Sequence, residues 1–244
     1  MSSSGGAVPA AAPRTAIIAA LGNECAALAR VPHAALGWSL VQSGPGPERA
    51  AQCATAALAA GAQALVSWGL AGGLAADIEP GTVILPRRVI MQRGETFAVS
   101  AAWHERLAVL AAEFTVSFGD LLTVPAALGS PAAKAAAAAA LAAVAVDMES
   151  AAIATVAARA RVPFVALRVI VDAQADALPA GAERWIDERG NTRSAAALGA
   201  IVRPGEWQAL WRLAQRYRKA NAVLVRLAQS IAARRLLDDV PGNG

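Results

Sequence analysis

PFVALRVIVD, residues 163–172, decides the fold: behind its proline, apolar residues follow one another without alternation, interrupted only by Arg168 and closed by Asp172. A strand with one solvated face alternates apolar and polar side chains, whereas a strand covered on both faces does not. The segment is therefore expected inside a sheet with helices on both sides. Working outward, TAIIAAL (15–21), ALVSWGLAGG (64–73) and GTVILPRRVIM (81–91) read as further strands. TVSFGDLLTV (115–124) reads as another, bent near Gly119, and VAVDMES (144–150) as a short strand leading into a helix that runs to Arg161. Residues 24–30, 48–60, 101–112 and 131–143 have helical composition between them. This order predicts a single α/β domain over 14–236, with a mixed, largely parallel central sheet flanked by helices, behind a leader at 1–13 expected to be disordered.

Composition narrows the class. The 244 residues are 56% apolar and 16% charged, with a net charge of +4. That length supports one large core. Alanine inflates the apolar fraction. Residues 50–76 carry no charge, but Thr55, Gln63, Ser67 and glycines interrupt them and the period changes midway, as for a helix followed by a buried strand. The longest apolar run, 135–146, has 12 residues, short of the roughly 20 that a spanning helix needs. Two cysteines, Cys25 and Cys53, make no disulfide framework, and the N-terminus lacks the basic-then-apolar order of a signal peptide. A reducing cytoplasm is the expected compartment.

The charge is unevenly placed. Between Arg203 and Leu236 there are eight cations and one acid, Glu206, so this segment carries +7 and the rest of the chain −3. The basic pI of 9.8 describes a C-terminal segment and gives no warrant for nucleic-acid binding by the body.

In open α/β sheets, ligands bind beyond the carboxyl ends of strands. That rule selects Gly22, Asn23 and Glu24, the glycines at 69–73, the segment Asp147, Met148 and Glu149, and Arg168 with Asp172. Several carboxylates, one guanidinium and a glycine turn are thereby expected together. GLAGG has glycines at 69, 72 and 73, without the order of a dinucleotide-binding loop, and neither a phosphate loop nor a zinc motif occurs. His33 and His104 fall on what read as surface connections. Glu149 admits two readings. Acids in a first helical turn interact well with the macrodipole, but that does not account for two acids flanking a methionine. A carboxylate at a strand end can instead accept both hydroxyls of a ribose. Asp172 is likewise either a helix cap or a functional acid.

Taken together, IIAALGNE, GLAGGL, IEPGTVILP, VDMESAAIA and VPFVALRVIVD resemble the purine nucleoside phosphorylase and methylthioadenosine/S-adenosylhomocysteine nucleosidase superfamily over residues 15–175. The continuation from ALPAGAERWIDERGNTRS through the C-terminal segment is similar to the hopanoid-associated phosphorylases, which act on adenosylhopane. The resemblance implies a nucleoside phosphorylase-like fold, no cofactor, a small nucleoside substrate with a large apolar 5′ group, no nucleic-acid partner and a homodimer. It places Asp172 as the general acid on purine N7. It places Glu149 and Met148 at the ribose, Leu122 and Thr123 beside the base, and Gly72 in the glycine turn. Glu24 corresponds to the acid that activates water in the nucleosidase branch, with Arg168 close to that nucleophile. Leu70 departs from the pattern, because the nucleosidases carry a serine there and leucine donates no side-chain hydrogen bond.

Such an enzyme breaks a bond whose cleavage leaves positive charge on the sugar ring, as in glycoside cleavage. A raised pKa, supplied by an apolar strand, would let Asp172 act as an acid near neutral pH. Water and inorganic phosphate are both open as the acceptor: Glu24 suits water, whereas Arg168, with Arg87 or Arg88, would suit phosphate as a co-substrate. Retention of Glu149 and Asp172 speaks against a non-catalytic nucleoside-binding or membrane-adaptor protein. The expected C-terminal helix, 205–236, has Trp207, Leu210, Trp211, Val223, Leu224, Leu227 and Ile231 at helical spacing, with cations between them. It reads either as a last helix with a solvated basic face or as a peripheral contact with anionic lipid on the inner membrane face.

Overall fold

The computed structural model describes residues 14–178, 189–190 and 207–241. The leader at 1–13 and most of 179–206 lie outside these residues, as do the side chains of 207–210. Strand β3 (Ala64–Gly73) is the axis of the sheet. On one side it pairs in parallel with β10 (Phe164–Asp172), from Leu65 opposite Phe164 to Gly72 opposite Asp172. On the other side it has two successive partners. Its first half pairs in parallel with β1 (Thr15–Ala19), and its last two residues pair antiparallel with β9 (Ala145–Asp147). The sheet therefore forks along β3, and the candidate residues collect beyond that fork.

Outside β1 lies β2 (Trp38–Gln42), in parallel. Outside β9 come β8 (Leu121–Thr123), β5 (Arg88–Met91) and β6 (Thr96–Ala98), while β4 (Val83–Ile84) and β7 (Val116–Ser117) extend the sheet beyond β10. The expected mixed, largely parallel sheet is present, in one α/β domain. Val165, Val169 and Ile170 of β10 are fully buried, each such side chain contributing about 1.5–3 kcal/mol.

Two expected strands are each split. Residues 81–91 form β4 and β5, which serve different neighbours because Pro86 between them has no N–H for a ladder. Residues 115–124 form β7 and β8, separated at Gly119, where an added Cβ would come within 2.5 Å of Val144. Strands β2 and β6 are additions to the sequence reading; β2 lies at the edge of the sheet and mixes Ser39 and Gln42 with apolar residues.

The helices are α1 (Gly22–Leu28), α2 (Pro47–Ala59), α3 (Ala101–Ala108), α4 (Pro131–Leu141), α5 (Ser150–Ala160) and α6 (Trp207–Ala233). Helix α2 packs against α5 through small residues, Ala50, Ala54 and Ala57 facing Ala151, Ala154 and Ala157 as the buried sides of the two helices. Such side chains permit close approach at little entropic cost. Helix α6 lies against β10 and α1, burying Ala220, Leu224, Leu227, Ala228 and Ile231. His104 contradicts the surface expectation. It is buried in α3, its Nε2 is 3.2 Å from Leu85 O, and its ring lies 5.5 Å from that of Phe118.

Candidate active site

Gly69, where the fork opens, adopts φ +154°, and an added Cβ would lie 2.5 Å from Glu24 Oε1 and 2.8 Å from Arg168 Nη1. Glycine is required here because the main chain passes directly over an acid and a guanidinium. Glu24 is buried and held by main-chain donors: Oε2 accepts from Ala20 N at 3.0 Å and Leu21 N at 2.8 Å, and Oε1 from Leu70 N at 2.8 Å. Leu70 thus contributes its main-chain N–H. Burial nevertheless raises the Glu24 carboxyl above its usual range, against the opposing pull of Arg168 and these amides.

Arg168 crosses the site as a bracket. Its Nε donates to Asp147 Oδ2 at 2.8 Å, and its Nη2 donates to Ser67 Oγ at 2.7 Å and Ser150 Oγ at 3.1 Å. Asp147 also accepts from Thr123 Oγ1 at 2.6 Å and from Ser150 N. The two acids of VDMES are thereby separated in role: Asp147 anchors Arg168 and the start of α5, and Glu149 is left facing the site. The Thr123 hydroxyl in turn accepts from Ala151 N at 3.0 Å. Ser67 and Ser150 were missed in the sequence. The signal for Ser67 was available, as the one hydroxyl inside an otherwise apolar strand.

Glu149 accepts a hydrogen bond from Gly46 N at 2.9 Å through Oε1, and its Oε2 lies 3.9 Å from Arg168. Burial first, and then the Asp147 charge, push this carboxyl up to about 7, with Arg168 opposing. Met148 is half-buried in the turn between β9 and α5. Leu122 turns to the opposite side of β8, where it joins Val124, Leu128 and Leu141 in lining an apolar cavity of about 380 Å³ beneath α4.

Asp172 closes β10 after a register shift between Ile170 and Asp172. Bulges re-aim a side chain at the end of a strand. The carboxyl lies over Gly72, where an added Cβ would be 3.5 Å from both oxygens, an ordinary van der Waals contact. Burial raises Asp172, and Lys134 opposes that rise. Lys134, from α4, donates to Asp172 Oδ2 and was not foreseen. Beside it, Asp176 accepts from Ala173 N and pairs with Arg216 of α6 at 2.7 Å. Of the suggested phosphate ligands, Arg88 pairs with Asp120 at 2.6 Å and Arg87 is exposed. Among the described residues, no group of three or more His, Cys, Asp and Glu could hold a metal ion.

A forked α/β sheet whose strand ends gather buried carboxyls around one arginine defines the class as the nucleoside phosphorylase and nucleosidase type, enzymes that cleave glycosyl bonds. The family model described as the phosphorylase superfamily matches residues 14–203, and the chain belongs to that superfamily. The chain is similar in structure to futalosine hydrolase of Helicobacter pylori strain 26695 (TM-score 0.67, 15% identity, covering 90% of this chain and 97% of that one). It is similar also to the 5′-methylthioadenosine/S-adenosylhomocysteine nucleosidase of Neisseria meningitidis in complex with methylthio-immucillin-A (TM-score 0.68, 18% identity, 90% and 98% covered). A third likeness is to S-adenosylhomocysteine nucleosidase from Streptococcus pyogenes in complex with 5-methylthiotubericidin (TM-score 0.69, 17% identity, 96% and 100% covered). At these identities the likeness is one of fold. No curated protein matches the chain.

Proposed function

We propose that the protein cleaves the purine N-ribosyl bond of a 5′-substituted adenosine and releases adenine, with adenosylhopane as its favoured substrate. The observation that carries the reading is the gathering of buried carboxyls with separate partners at the end of one sheet: Asp172 on Lys134, Glu149 on Gly46, and Glu24 beside Arg168. Protonated Asp172 gives its proton to N7 as the glycosidic electron pair passes to the base, a step worth about 10²- to 10⁴-fold for a positioned acid. Ionised Glu149 accepts the ribose hydroxyls and stabilises positive charge on the ring. Glu24 takes a proton from the water that attacks the anomeric carbon.

Water is favoured over phosphate because Arg168 commits Nε and Nη2 to Asp147, Ser67 and Ser150, while the Glu24 carboxyl stands beside Nη1. A phosphate there would meet a carboxylate. The product is then ribosylhopane, whereas phosphorolysis would give phosphoribosylhopane. The hopanoid assignment rests on the sequence resemblance of the C-terminal third. Peripheral membrane contact through α6 belongs to the same reading: Trp211 is 65% exposed and Arg212 and Arg218 are exposed beside it. Other cations of α6 and the turn after it act within the protein, Arg216 on Asp176, Arg226 over the Phe114 ring and, past the helix end, Arg234 on Glu113. A cytoplasmic homodimer completes the proposal.

The test is adenine release from adenosylhopane, methylthioadenosine and S-adenosylhomocysteine, each with and without phosphate. Preference for adenosylhopane without phosphate dependence is expected. Strict phosphate dependence would reject hydrolysis, and preference for the thio-nucleosides would reject the hopanoid assignment.

A further inference from the structure

Helix α4 inverts the usual order of burial. Its alanines are exposed or half-exposed, whereas Lys134, its one charged residue, is 1% exposed and is the helix's single buried position. Lysine is almost never fully buried unless paired, since removing its charge from water is costly. Three acceptors surround this ammonium, all at the end of β10: Asp172 Oδ2, Ala173 O at 2.8 Å and Asp176 O at 3.0 Å. An alanine-rich helix needs no buried lysine in order to form. The burial of Lys134 is accounted for by what it holds.

We propose that Lys134 is a positioning residue for departure of the base: it grips Asp172 through Oδ2, leaves Oδ1 for purine N7, and stabilises the carboxylate that remains once the proton has been given. The inference rests on the base-cleavage reading above. Among the described residues, Asp172 Oδ1 has no protein hydrogen-bond partner. In the step itself, the proton leaves the Asp172 carboxyl for N7 and the N-ribosyl bond breaks with its electron pair going to the purine. Asp172 ends as a carboxylate beside an ammonium that keeps all its protons. Solvent then restores the acid.

The charged groups facing Asp172 are Lys134 from α4, Asp176 from the following loop and Arg216 from α6. Burial raises the acid and Lys134 draws it back. Without the lysine, Asp172 would hold its proton to higher pH yet give it up less readily.

The experiment is the pH profile of adenine release by the full chain and by Lys134→Met, Lys134→Arg and Asp172→Asn. For Lys134→Met, kcat on the low-pH plateau is expected to fall about 10- to 100-fold, with KM changed less than about threefold and the alkaline limb moved up by about one pH unit. Lys134→Arg should recover part of kcat and return the limb toward that of the wild type. In the Asp172→Asn background, Lys134→Met should add little, because the two residues act as a unit. Lys134→Gln carries the same test if Lys134→Met does not fold. An unmoved limb, or an equal loss in both backgrounds, overturns the assignment of Lys134 alone. No adenine release by the wild type from any nucleoside overturns the base-cleavage reading, and the inference with it.

Discussion

Asp147 Oδ2 accepts a hydrogen bond from Arg168 Nε at 2.8 Å and lies 2.7 Å from Nη2 in an ion pair whose two side chains are buried. This pair ties β9 to β10 and fixes the head of α5 through Ser150, so the site is assembled by a contact that never needs to meet substrate.

Removing Asp147 takes away the acid that accepts from Arg168 Nε and leaves the buried guanidinium with Glu149 at 3.9 Å as its nearest acid. Asp147→Ala is therefore expected to destabilise the fold by about 3–5 kcal/mol, measured by urea unfolding. Replacing both, as Asp147→Leu with Arg168→Met, should cost less than the single change, because no buried charge is stranded. A single variant within about 0.5 kcal/mol of wild type would contradict the geometry.

On the proposed reading, Glu149 sets a pH dependence for binding. Its carboxyl is held up to about 7 by burial and Asp147, and only the ionised form accepts two ribose hydroxyls. Nucleoside affinity should rise with pH through about 7 and fall up to tenfold per unit below it, and Glu149→Gln should flatten the profile. Stability runs the other way. Because the folded value lies above the unfolded one, stability is greatest below the ordinary carboxylate range and declines as pH rises toward about 7. Calorimetry of wild type and Glu149→Gln over pH 4–8 checks this: a slope that survives the substitution would assign it to another group.

Gly69→Ala forces a Cβ against Glu24 and Arg168 at a φ that side chains rarely adopt. Destabilisation of about 1–3 kcal/mol is expected, with a larger loss in kcat than in substrate affinity, since the proposed function assigns the displaced Glu24 to the attacking water. Thermal unfolding and steady-state kinetics on one preparation separate the two.

Much of this arrangement was legible from residues alone. The unbroken apolar run of β10 signalled a doubly covered strand, and the strand-end rule picked out Glu24, Asp147, Glu149, Arg168 and Asp172 before any geometry. What escaped has physical reasons. Lys134 sits in a helix whose pattern is otherwise alanine, so periodicity could not assign it a face, and its burial comes from partners on a distant strand. Strand β2 was hidden by edge placement, which leaves its side chains half-buried. The split of 115–124 needed the Val144 contact at Gly119, which is tertiary. The hydroxyl of Thr123 joins Asp147 to Ala151, a tertiary contact that leaves the expected reading of the base to the main chain of this segment. Asp147 and Glu149 could not be told apart until Arg168 was seen to take the first and Gly46 the second.

The most direct test of the account is adenine release by wild type and Asp172→Asn in single-turnover experiments on one 5′-substituted adenosine. The account predicts that Asp172→Asn binds the nucleoside within a few-fold of wild type and releases adenine at least about 100-fold more slowly, in keeping with loss of a positioned acid. Release at the wild-type rate by Asp172→Asn would contradict it.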